Sequence, residues 1–307
     1  MKARLVPVLA FLITSIALLP ISAQDSKAVV VGSKIDTEGT VLGKMIVIIL
    51  SANGIPVTDK VGFGTTDLVR KAIAAKELDL YVEYTGNGAF FFQGTDPTVW
   101  KNEKNGYETV KQLDLQKNGI VWLTPAPANN TWAIAVRKDL AAKEKLATLE
   151  DFSRYVGKGG AVKLAASEEF ISSAAALPAF QAAYGFKLSN SQLLSFSGGN
   201  TALTEQAASQ GSNGVNFAMA YGTDGSLAAL GLLVLADTKA VQPIYEPTPI
   251  VRKEVLDRYP AIAPLLDKLF KGLDLVTLQG LNARAAVNGE SPDAIAASYL
   301  KDKGLLK

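Results

Sequence analysis

The alternation of element types near the start of the chain constrains its fold more than any other feature. Residues 28–32, AVVVG, are an apolar, β-branched run suited to a buried strand. From Glu38 the period changes: Val41, Leu42, Met45, Ile46, Ile49 and Leu50 recur at helical spacing and make one apolar face. Asn53-Gly54 ends that helix, because both residues tolerate the left-handed conformation. Residues 57–63 read as a second strand, and Gly64-Thr65-Thr66 introduces a second helix with Leu68, Val69, Ala72 and Ile73 on its apolar side. Residues 78–84 are the next strand. Short strands alternating with helices in the order β-α-β-α-β argue for an α/β fold with a parallel sheet covered on both faces. Ligands bind such sheets outside the carboxyl ends of the strands. Residues 33–36, 64–66 and 84–88 fall at those ends. The stretch YVEYTGNG, residues 81–88, therefore sets Tyr84 at the lip of the expected site, with glycines that let the chain turn away.

The same character continues. Residues 105–117 read as a helix, followed by the strand IVWLTP and then by PAPANNTWAIAV, residues 125–136, an extended crossover. Thr148 with Asp151, and Ser189 with Gln192, have capping-box spacing. VKLAAS, VNFAMAY and LLVLAD are further strands, and residues 175–184 and the segment GGNTALTEQAASQ predict helices. VQPIYEPTPIV, residues 241–251, is a second proline-rich extended segment. The chain after it is mainly helical, with Ser291-Pro292-Asp293 as a clear helix start. Two crossovers near residues 128 and 240 predict a middle domain inserted into a first one. The expected lobes are 24–128 with 240–307, and 129–239, joined by a hinge over a cleft.

The chain opens MKARLVPVLAFLITSIALLPISAQ, with a basic start, an apolar run and a small-residue exit. This predicts a secretory signal peptide, residues 1–23, cut after Ala23. Removing it takes Lys plus Arg from 31 to 29, against 29 acidic residues. A net charge near zero argues against a nucleic-acid binder. Absence of cysteine, including any after the signal to carry a lipid, fits a free protein of a bacterial periplasm. Absence of histidine removes Ser-His-acid triads and nearly all zinc sites, and tilts the reading away from catalysis.

Several aromatics stand beside turns and hinge segments: Tyr84 before TGNG, Trp132 after NNT, Tyr221 before GTDG and Tyr245 inside QPIYEPTP. Such rings either pack into a core or face a cleft. Converging, they would make a box whose negative ring faces bind a quaternary ammonium. Thr65 and Thr66 open the second helix, where free N–H groups and the dipole favour an anion; a plain helix cap is the alternative. Glu83 and Asp79 share a strand at an even spacing, which allows paired acid-base chemistry; a strand-end acid bound to a neighbouring basic group or a helix N-terminus is the stronger alternative. Gly32-Ser33-Lys34 lacks the G-x-x-x-x-G-K frame of a phosphate loop. Asp224 reads as the cap of the following helix. Arg70, the nearest candidate for a carboxylate clamp, lies a turn inside its helix.

GSKIDTEG, GTTDLVRKAI, ELDLYVEYTGNG, NNTWAIAV, AMAYGTDG and PIYEPTPIV, in this order, resemble the substrate-binding proteins of osmoprotectant ABC transporters, of the glycine betaine, carnitine and choline type. The likeness is closest to their periplasmic OsmF/YehZ-like branch and covers essentially the whole chain after the signal. It implies a two-lobed periplasmic binding protein (type II) with two parallel-type sheets flanked by helices, no enzymatic activity, no cofactor and no metal. It also implies an aromatic cage of Tyr84, Trp132, Tyr221 and Tyr245, with Thr65 or Thr66 contacting the ligand. The implied partners are a quaternary-ammonium solute and an inner-membrane ABC permease with its ATPase, served by a monomer. Many relatives carry glutamine where Gly39 stands, a departure that Asn129, Asn130 or Thr223 could offset. Another cationic or zwitterionic solute, or a periplasmic sensory role, remains as an alternative.

Overall fold

Two five-stranded sheets organise the chain in a computed structural model, which describes residues 27–197 and 201–306. The expected signal peptide, residues 1–23, lies outside the described residues. The first sheet takes β1 (Val29–Lys34), β2 (Val57–Gly64), β3 (Leu80–Tyr84), β4 (Ile120–Trp122) and β10 (Pro247–Arg252), in the order β2-β1-β3-β10-β4. The second takes β5 (Trp132–Arg137), β6 (Leu164–Ser167), β7 (Leu193–Phe196), β8 (Phe217–Tyr221) and β9 (Leu232–Val234), in the order β7-β6-β8-β5-β9.

Both sheets are parallel but for one strand. β1 runs parallel to β2 and β3, whereas β10 is antiparallel to β3 and β4. In the second sheet β6 is parallel to β7 and β8, and β5 is antiparallel to β8 and β9. The antiparallel strand in each case follows a crossover. A chain arriving from the other sheet enters from the cleft end, opposite to strands fed by helices.

Helix α1 (Thr37–Ala52) starts at Asp36, whose carboxylate accepts the Gly39 N–H at 2.7 Å, and its chain exit passes through Gly54 at φ +74°. Val41, Leu42, Met45, Ile46, Ile49 and Leu50 are buried, so the apolar face read from the sequence is the face that packs. Helix α2 (Thr66–Ala74) covers the opposite side through Val69, Ala72 and Ile73. Cores therefore lie on both faces of the first sheet. The second sheet is built likewise, with Phe152 wedged between Phe186 and Phe217 at ring distances of 4.9 and 4.8 Å. Each such ring adds about 1.5–3 kcal/mol by burial. Both capping boxes are present, at Thr148 with Asp151 and at Ser189 with Gln192.

The crossovers run side by side. Asn130 N–H donates to the Tyr245 carbonyl at 2.9 Å, Tyr245 N–H to Asn129 Oδ1 at 2.8 Å, and the Thr131 hydroxyl to the Pro243 carbonyl at 3.1 Å. Among the described residues no helix is long and apolar enough to cross a membrane.

Candidate ligand-binding site

A cleft of about 900 Å³ is lined by residues of both sheets and both crossovers. Tyr84, Trp132, Tyr221, Tyr245, Thr65, Thr66, Asn130 and Thr223, all expected from sequence, line it. Strand register brings the rings there. Trp132 opens β5 directly opposite Tyr221, which closes β8, and its indole N–H donates to the Tyr221 oxygen at 3.0 Å. Phe170 stands edge-on to Trp132, with centroids 6.1 Å apart. Tyr84 ends β3 opposite Pro247, two residues past Tyr245.

Gly86 explains how Tyr245 reaches the site. A Cβ there would stand 2.7 Å from the Tyr245 ring and 2.8 Å from the Ile244 carbonyl. Gly88 admits Trp100 in the same way, at 2.3 Å. Neither glycine has a positive φ. The chain turns there as expected, through a 3-10 helix over Thr85–Asn87, and the glycines of YTGNG also permit this close approach. Burial pushes the Tyr221 phenol up to about 12 and raises those of Tyr84 and Tyr245 as well. The rings stay neutral at physiological pH and keep their negative faces.

Glu83 is a buried hub. Its Oε1 accepts from Lys34 at 2.6 Å, from Asn87 at 2.6 Å and from the Tyr84 N–H at 2.8 Å, while Oε2 accepts from Tyr81 at 2.8 Å. Asp79 is bound instead to Arg252 at 2.8 Å and to the Val30 N–H at 3.0 Å. Each carboxylate is committed to its own cation, so they form no catalytic pair. Lys34 is the one basic residue lining the cleft among the described residues, and its ammonium lies 4.5 Å from the Tyr84 ring centroid.

Thr65 is the cap residue of α2, but its side chain makes no cap bond, so it does not occupy the helix N–H groups. Asp224 does not cap the next helix, Ser226–Ala229, either. That position belongs to Gly225, and the Asp224 carboxylate turns back to accept the Tyr221 N–H at 2.6 Å. Burial pushes Asp224 and its neighbour Glu205 upward, and their mutual repulsion favours one shared proton. Arg70 is held bidentately by Asp114 at 2.8 and 2.7 Å and lies over Phe91, so it clamps no ligand. Gly39 does not line the cleft; a Cβ there would lie 3.0 Å from Asp36 and 3.2 Å from Lys34. Asn129 holds the Tyr245 backbone and is also absent from the lining.

Glu38 is the residue that sequence reasoning missed. It is 4% exposed, yet its Oε1 accepts from Tyr84 at 2.8 Å and from Asn130 at 3.0 Å, and its Oε2 from Asn282 at 2.7 Å. Burial raises its pKa to about 7, against hydrogen bonds from Thr223, Asn282 and Tyr84 that favour the charged form. An acid in the first turn of a helix is ordinarily a solvated partner of the dipole, so its residue type gave no signal.

Two lobes, each an open α/β sheet, with a ligand-sized cleft between them, define a type II periplasmic binding protein. The chain belongs to the family described as the substrate-binding domain of ABC-type glycine betaine transport systems, matched over residues 27–302. Members are binding proteins, not enzymes. The chain is 56% identical over 292 residues to the glycine betaine-binding protein YehZ of Escherichia coli K12, covering 95% of this chain and 96% of that one. Among solved structures, apo YehZ from Escherichia coli aligns with a TM-score of 0.79 at 58% identity, over 91% of this chain and 99% of that one. A glycine betaine/carnitine/choline ABC transporter structure aligns with a TM-score of 0.80 at 21% identity, over 91% of this chain and all (100%) of that one, which speaks to the fold alone.

Proposed function

We propose that this protein captures a quaternary-ammonium osmolyte of the glycine betaine kind and delivers it to an ABC importer. The observation that carries this reading is the presence of Tyr84, Trp132, Tyr221 and Tyr245 around one cleft. Ring faces attract a methylated cation by about 0.5–2 kcal/mol each, and a cation without N–H donors loses little hydration on entering. Acidic Asp36, Glu38, Asp67, Glu169 and Asp224 line the same cleft against Lys34, its one basic residue among the described residues, and add a favourable field. A ligand carboxylate fits the uncapped N-terminus of α2 at Thr65 and Thr66. Asn130 and Thr223 complete the polar wall. The lobes, 24–128 with 240–307 and 129–239, close on the solute about the paired crossovers. The closed form then docks on an inner-membrane permease coupled to its ATPase, and the protein works as an exported periplasmic monomer.

Calorimetric titration with glycine betaine, choline, carnitine and proline betaine tests the reading. Saturable binding of one of them, lost in Tyr245→Ala at unchanged melting temperature, is expected. Failure of the parent protein to bind any of the four, or undiminished affinity in the variant, overturns it. The cleft volume of about 900 Å³ favours one second reading, a bulkier quaternary-ammonium solute, which the same series distinguishes.

A further inference from the structure

We infer that Glu38 is a positioning residue that ties the two lobes together and sets the aromatic box as they meet, acting through Tyr84, Asn130 and Asn282. Four stretches of chain converge on its carboxylate. Tyr84 comes from the end of β3, Asn130 from the first crossover, and Asn282 from the helix Leu275–Ala286. That helix belongs to the first lobe, since Leu278 and Leu281 lie in the same core as Val41 and Leu42. The fourth stretch is the loop after β8, in the second lobe. Asn282 Nδ2 donates to Glu38 Oε2 at 2.7 Å and also to the Thr223 carbonyl at 2.9 Å. Both hydrogens of one amide are thereby spent on a bridge from Glu38 to the opposite lobe.

Packing agrees with this bridge. Gln279 Nε2 donates to the Gly222 carbonyl at 2.9 Å. A Cβ on Gly225 would stand 2.0 Å from the Ala283 nitrogen, and one on Gly222 2.3 Å from the Asn129 carbonyl. The loop GTDG is therefore seated backbone-to-backbone on the first lobe's helix and on a crossover. Glu38 lies where this contact meets Tyr84. Both Glu38 oxygens are engaged by neutral donors, and a carboxylic acid keeps acceptor capacity on its oxygens, so the bridge does not require the charged form.

The titratable groups facing it are few. Tyr84 approaches from β3, and Asp36 from the cap of its own helix. Lys34, over the Tyr84 ring, is already paired with Glu83. Asn130, Thr223 and Asn282 bring neutral donors from the other elements. Burial in the tied arrangement raises the Glu38 pKa to about 7, so by linkage the protonated carboxyl favours that arrangement and the tie loosens as pH rises through this value.

The part of this inference that concerns the box rests on the osmolyte reading; the tie between lobes does not. The absence of native cysteine allows spin labels on Lys71→Cys and Lys187→Cys, both exposed and one in each lobe, with no background. Distance distributions are recorded without ligand from pH 5.5 to 8.5, then with glycine betaine. The expected result is a longer-distance population that grows as pH rises through about 7 in the parent protein. Glu38→Gln, uncharged throughout, is expected to remove that pH response, and Glu38→Asp to restore part of it. Asn282→Ala, which cuts the bridge at its far end, should shift the distribution to longer distances and guards against a folding defect at Glu38. An unchanged distribution in either folded variant overturns the inference. If glycine betaine moves nothing while the variants and pH do, the tie stands and the osmolyte reading fails.

Discussion

The Tyr84 phenol donates to Glu38 Oε1 across 2.8 Å, linking a ring of the ligand cleft to a carboxylate 46 positions earlier in the chain. The bond fixes the ring's rotation and removes one of the negative charge's unmet needs. Tyr84→Phe deletes the donor and keeps the ring. A buried carboxylate that loses one hydrogen bond costs about 1–3 kcal/mol. Affinity for the osmolyte should fall by roughly tenfold, as about 1.4 kcal/mol requires, with the far-ultraviolet spectrum unchanged. Titration of the two proteins side by side checks this.

Gly86→Ala should act on Tyr245 at a distance. The added methyl meets the ring and the Ile244 carbonyl, and overpacking of this kind costs about 1–3 kcal/mol. The second crossover must shift, so binding weakens strongly while both sheets persist. A lowered melting temperature together with lost titration heat is expected; wild-type affinity would refute the seating described here.

Gly225→Ala should bar the second lobe from the helix Leu275–Ala286. The obstructing atoms are helix backbone, which cannot rotate aside. Small-angle scattering at saturating ligand should then report a larger radius of gyration than for the parent protein. Each lobe's own core is untouched by this loop, so cooperative melting is retained.

Stability should rise as pH falls from 8 to 5, the reverse of the usual trend. Burial lifts Glu38 and Glu246 to about 7, the latter helped by Glu103. Between the ordinary carboxylate value and about 7 the folded protein holds protons that the unfolded chain releases, so these two groups make stability fall as pH rises through that window, and Glu205, raised further by burial and by Asp224, continues the fall above it. Each pKa unit corresponds to about 1.4 kcal/mol, so the two groups together amount to a few kcal/mol. Calorimetric melting at pH 5, 6, 7 and 8 reads the slope, and Glu38→Gln should flatten it.

Sequence reasoning reached the sheets because their signals are local. Val41, Leu42, Met45, Ile46, Ile49 and Leu50 repeat at helical spacing, and Thr148 with Asp151 closes a box within one turn. It reached the aromatic residues because each sits beside a break in such a pattern. It missed Glu38 because the residue's role depends on Asn282, 244 positions away. It misread Asp224 because an acid before a short helix looks like a cap, whereas the chain there turns the carboxylate back onto Tyr221. It read the turn at YTGNG, which a 3-10 helix over Thr85–Asn87 makes, but not the close approach of Tyr245 and Trp100, since a missing Cβ looks the same whether the backbone or a distant ring requires it.

The placement of β10 has a consequence for how the molecule comes into being. This strand lies between β3 and β4, inside the first sheet, yet its residues follow the whole second lobe in the chain. Until that segment is present, β3 has a raw edge and β4 has no neighbour. The lobe that is begun first is therefore finished last, and the inserted lobe, contiguous in sequence, can complete its core ahead of it. A chain made N-terminus first carries an open sheet edge until Pro247–Arg252 arrives, with only the closing helices still to follow.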